Sequence, residues 1–95
     1  MSVSMQNKLD EIATAYVNEL SKDLVNPELA NKPTEATPST IASIAKYSAF
    51  TCFADGELTE EQKEYVYEKA LVMAQDLLPW MIDEYDYNMV CGRSA

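Results

Sequence analysis

The stretch Thr37-Pro38-Ser39-Thr40-Ile41-Ala42-Ser43-Ile44-Ala45-Lys46-Tyr47-Ser48-Ala49-Phe50-Thr51-Cys52-Phe53-Ala54-Asp55-Gly56-Glu57-Leu58-Thr59-Glu60-Glu61-Gln62 decides the fold. Thr37 has the chemistry of an N-cap, and Pro38 suits a first helical turn, where its missing N–H leaves no bond unmade. Gly56 is expected to take the left-handed conformation that closes a helix. Thr59 and Gln62 have the spacing of a capping box, so a further helix starts almost at once. Lys46 is the only charge between residues 39 and 54. A helix with so little polar surface needs neighbours on most sides. The expected fold is therefore all-α, a compact bundle of three to four helices around this central apolar helix.

Outward from that stretch, the periodic signal is strongest at the N-terminal side. Met5, Leu9, Ile12, Ala13, Tyr16, Val17, Leu20 and Leu24 step by three or four, the spacing of one helical face. This predicts a helix over about 4–25, with Ser4 as its cap and Asn26-Pro27 as its stop, because the residue before proline disfavours the helical region. Residues 26–37 read as a loop in which a short turn over 28–31 lays Leu29 on the core edge. The central helix covers about 38–54. A third, over about 60–78, buries Val66, Ala70, Met73, Ala74 and Leu77. Pro79 is expected to end or kink it, with a fourth helix or a kinked extension over about 79–90 and a frayed tail beyond. All 95 residues form one domain.

Charge is asymmetric. The net charge is −9, and residues 55–95 hold ten of the sixteen acids against three of the seven bases. Such a field repels phosphate backbones and anionic membranes, which excludes direct nucleic-acid binding and favours a basic protein partner. The alternative is that acidity simply keeps a small protein dispersed. No apolar run reaches the roughly 20 residues that cross a bilayer, and the first residues lack the pattern of a signal peptide. Cys52 and Cys91 are expected to be reduced, in a cytoplasmic protein.

Chemistry is constrained by what is missing. With no histidine in the chain, His-dependent triads and the common zinc sites are excluded. No glycine-rich phosphate loop is present. With Gly56 at the sixth place of a helix-loop-helix calcium template, the first, third and twelfth places hold Thr51, Phe53 and Gln62, which are the wrong ligands. No catalytic, cofactor-binding or metal-binding residues are expected. The chain is read as a non-enzyme without cofactors.

Following an apolar helix, Ala54-Asp55-Gly56-Glu57-Leu58-Thr59-Glu60-Glu61 resembles the repeated hairpin of tellurite-resistance TerB-like proteins, a helical family linked to stress and phage-resistance systems. The resemblance is confined to this hairpin, and it implies a helical junction with no function carried over.

The functional expectation is a protein-binding module, in one form a small inhibitor that occupies a basic, nucleic-acid-binding surface of its partner. Glu57, Glu60, Glu61, Glu64, Glu68, Asp83, Glu84 and Asp86 would then stand in for phosphates. A phage or mobile-element origin fits by analogy alone. Trp80, Tyr85 and Tyr87 carry the large contact area typical of interfaces, while in so small a domain the equal alternative is that several of them complete the core. They support an alternative: a helical structural or adaptor subunit that self-associates, as a homodimer, or binds a partner through its C-terminal aromatic segment.

Overall fold

The computed structural model describes residues 2–53 and 57–94. Among them are three helices and no strand: α1 Val3–Leu24, α2 Thr37–Thr51 and α3 Glu60–Ser94. The expectation for Gly56 lies outside the described residues.

Helix α1 forms as its periodicity dictates, with Leu9, Ala13, Val17 and Ser21 buried at steps of four. Its cap is Ser2 rather than Ser4: the Ser2 hydroxyl accepts from Met5 N–H at 3.1 Å. At the other end, Asn26 Oδ1 accepts from Glu28 N–H at 3.0 Å, and Asn26 O accepts from Leu29 and Ala30. This turn reverses the chain where Pro27 forbids more helix. Leu29 is not on the core edge, being 67% exposed; Pro33 is the buried residue of this loop.

Pro38 lies in the first turn of α2. Thr37 does not cap it, because the helix begins at Thr37 itself after Ala36, which offers no side-chain acceptor. Instead the Thr37 hydroxyl accepts from Thr34 N–H at 2.8 Å, ordering the loop. Pro38, Ile41, Ala42, Ala45 and Ala49 are buried, whereas Ile44, Tyr47 and Phe50 face outward, Tyr47 with 74% exposure. α2 is therefore not enclosed on most sides.

At the start of α3 the capping box forms as expected: Thr59 N–H donates to Gln62 Oε1 at 2.9 Å and Gln62 N–H to Thr59 Oγ1 at 3.1 Å. Of the two alternatives at Pro79, the structure has the extension: α3 continues as a single helix to Ser94, with no separate fourth helix, and residues 92–94 are helical rather than a frayed tail. The reason is tertiary. Val66, Ala70 and Ala74 before the proline, and Met81 and Tyr85 after it, are buried in one helical register. Pro79 and Gln75, whose carbonyl loses its partner, are both exposed, so water can take the missing donor's place.

Contacts across the helices fix their directions. Tyr65 donates to Asp10 at 2.6 Å, Thr14 to Met73 at 3.5 Å and Asn88 to Val25 O at 2.9 Å, so α1 and α3 run parallel. Lys46 meets Glu64 at 3.3 Å and Lys63 lies 4.2 Å from the Phe50 ring centre, so α2 runs antiparallel to α3. At 1.5 Å per residue α3 is about 52 Å long, which matches the molecule's 50 × 22 × 20 Å extent. Its first half packs on both neighbours. Its second half is held by the end of α1 and the following loop, where Lys32 meets Asp86 at 3.0 Å.

Candidate docking surface

The expected partner-binding residues do not share one face. With 100° of rotation per residue, Glu61, Glu68, Asp83 and Asp86 fall within roughly a quarter of the circumference of α3, opposite the buried stripe. Asp76, Val72, Pro79 and Val90 fill the gaps between them, and all eight residues are exposed. Sequence reasoning missed Val72 and Asp76. The signal that finds them is the step of seven or eight residues from Glu61 through Glu68 and Asp76 to Asp83, which returns to one side of a helix after each pair of turns.

Glu60 is paired within α3 itself and Glu64 is paired with α2. Lys63 lies 3.0 Å from Glu60 and Lys46 lies 3.3 Å from Glu64. The hydrogen bond and charge of Lys63 hold the Glu60 carboxyl below its ordinary pKa. Asp86 is paired with Lys32 from the loop. Glu61, Glu68, Asp76 and Asp83 have no ion pair among the described residues. Glu57 is exposed just before the helix.

Trp80, Tyr87 and the half-buried Glu84 lie on the α1 side of the strip. Trp80 is 44% exposed, and Tyr87 is more so. A hydrogen bond to Cys91 is the main cause that raises the Tyr87 phenol above its ordinary pKa. For Tyr85, named as a partner-binding residue with core and interface both left open, the structure gives the core: at 6% exposure it belongs to the interior, because it continues the step of Ala74 and Met81.

A second exposed surface lies on α2. Tyr47 and Phe50, with Ser43, Lys46 and Tyr67, line a depression of about 310 Å³. Lys63 lies over the Phe50 ring and Lys46 lies 5.8 Å from the Tyr67 ring centre. The aromatic side chains there are thus flanked by cations, in contrast to the acidic strip on α3.

Among the described residues, no three cysteine, aspartate or glutamate side chains converge as a metal site would require. Gln62, the twelfth place of the calcium template, is engaged in the capping box. No described helix is long and apolar enough to cross a membrane. Compared with protein families, with curated proteins and with solved structures, the chain finds no match. The likeness of residues 54–61 to a family hairpin therefore assigns no family.

Proposed function

We propose that the chain is a non-enzymatic protein-binding module of the cytoplasm whose acidic strip on α3 docks on a basic surface of another protein. The observation that supports this reading most is the row Glu61, Glu68, Asp76 and Asp83, four exposed carboxylates that no cation of the described chain neutralises. Successive members are about 11 Å apart along the axis. A rigid helix holds that spacing, so a complementary row of lysines or arginines meets it without ordering a loop. Val72 and Val90 add apolar area between the acids, and Tyr87 adds it along one edge. A surface that otherwise binds nucleic acid has the required charge, and an inhibitor occupying such a surface is the form in which this module acts.

The test is capture of partners by the tagged chain at low and high ionic strength, beside a variant with Glu61→Gln, Glu68→Gln, Asp76→Asn and Asp83→Asn. Basic proteins retained at low salt, released at high salt and lost with the variant support the reading. Capture indifferent to both salt and the four substitutions refutes it.

A second reading is favoured by the outward-facing Ile44, Tyr47 and Phe50 of α2 together with the exposure of Trp80 and Tyr87. In this reading the chain is an adaptor subunit that self-associates through aromatic contacts. Sedimentation equilibrium decides it: a dimer that Tyr47→Ser or Trp80→Ser dissociates supports self-association, and a monomer throughout refutes it.

A further inference from the structure

Helix α2 is built inside out. Its buried side is Pro38, Ile41 and three alanines, while the larger Ile44, Tyr47 and Phe50 are exposed. A helix that serves only its own core turns its large apolar residues inward. With 100° of rotation per residue, Thr40, Ile44, Tyr47 and Thr51 fall within about 60° of one another on the side away from the bundle, and all four are exposed. Steps of four, three and four residues form the seam along which one helix packs on another.

The charge of this face selects its occupant. Among the described residues α2 is the one helix without an acid, whereas α1 exposes Glu11, Glu19 and Asp23 and α3 carries the acidic strip. Lys46 and Lys63 flank the face, each paired with a glutamate of its own chain, so its rim is close to neutral. A basic partner of the kind that suits the strip finds no carboxylate here. A second copy of the chain, at −9, is repelled by the exposed acids of α1 and α3 but meets no like charge on α2.

We propose that two copies of the chain pair through α2, about a twofold axis that crosses the seam between Ile44 and Tyr47. The two helices run antiparallel, which sets opposite ends of their dipoles together. Ile44 of each copy packs on Tyr47 of the other, and Thr40 lies opposite Thr51. Such an isologous contact closes at the dimer, where a head-to-tail one would leave the face open on one copy. The face is about 22 Å long, at the small end of what holds a specific pair, so the dimer forms and dissociates with concentration. Because the strip lies opposite the buried stripe of α3, it stays outside the contact in both copies. The assignment rests on the self-association reading above and narrows it to α2, leaving Trp80 free.

Sedimentation equilibrium over micromolar to millimolar protein should find a monomer in equilibrium with a dimer. Added salt should not weaken the dimer, since it screens the repulsion between two acidic copies. Tyr47→Glu sets a carboxylate from each copy into the seam and should raise the dissociation constant at least tenfold, with the Tm in dilute solution unchanged because Tyr47 is exposed. Trp80→Ser should leave the constant unchanged. Disulfides read the register, in chains that also carry Cys52→Ser and Cys91→Ser. Oxidation of a mixture of Thr40→Cys and Thr51→Cys chains should join unlike chains, while neither variant crosslinks to itself, because like positions lie about 16 Å apart along the axis. A monomer at every concentration would overturn the self-association reading and the α2 pair together. A dimer that Tyr47→Glu leaves intact, or one in which Thr40→Cys crosslinks to itself, would keep self-association and overturn the antiparallel α2 pair.

Discussion

Replacing Pro79 by alanine should make the protein more stable. Proline in a helix interior is about 3 kcal/mol less favourable than alanine, because it removes a hydrogen bond and its ring strikes the preceding turn. Here the carbonyl that loses its donor belongs to Gln75, and both residues are exposed, so no core contact is lost with the ring. Set against this, proline restricts the unfolded chain, which offsets about 0.4–1 kcal/mol of the gain. The net is about 2 kcal/mol, or a rise in Tm of roughly 8–16 °C for a domain of this size. Thermal melts followed by circular dichroism, with urea titration for the free energy, measure it. Hydrogen exchange should find the new amide of residue 79 protected. A variant that melts at the same temperature or lower refutes the reasoning. That result would mean that the proline's local geometry is what lets Asn88 reach Val25 O and Asp86 reach Lys32.

Three further outcomes are expected. Met81→Ala removes a fully buried side chain and should cost about 2–5 kcal/mol, read from the urea midpoint at unchanged slope. Thr59→Ala leaves the Gln62 N–H without its acceptor and should cost about 1 kcal/mol, seen as faster amide exchange in the first turn of α3. Tyr65 has its pKa raised above the ordinary 10.0, first by its hydrogen bond to Asp10 and then by desolvation. The neutral phenol is the form the fold favours, so its contribution is complete below about pH 10 and is lost as pH rises through the raised value. Urea titrations from neutral to alkaline pH should find the native chain losing stability relative to Tyr65→Phe only at the alkaline end, and a constant difference would refute the assignment.

What the sequence made legible was local. The steps from Leu9 to Ala13 to Val17 specify the buried face of α1, and Thr59 with Gln62 announces a helix start, because both patterns act within one or two turns. Pro79 left a stop and an extension both open, for the complementary reason. Its local cost is real, but Met81 and Tyr85 continue the register of Ala74, and their burial against the rest of the bundle decides the matter at a distance. The scarcity of charge in α2 is equally ambiguous, since composition alone does not say which apolar residues turn inward. Ala42, Ala45 and Ala49 are buried, whereas the larger Ile44, Tyr47 and Phe50 are left outside. Of the docking residues, the acids of α3 stand out in the acidic second half of the sequence, but their division between paired and unpaired groups depends also on Lys32 and Lys46, which come from other parts of the chain. Ser21 was legible only as the fourth member of a step of four, and its polarity hides it from any search for apolar stripes.

The parallel course of α1 and α3 has a mechanical consequence. The beginning of α1 and the finish of α3 sit at opposite tips of a 50 Å rod. Tension applied between them loads the seam between the two helices in shear along its length instead of peeling it open one contact at a time. A tandem fusion of two copies would likewise need a linker of about 15 extended residues to let both lie side by side in the same orientation.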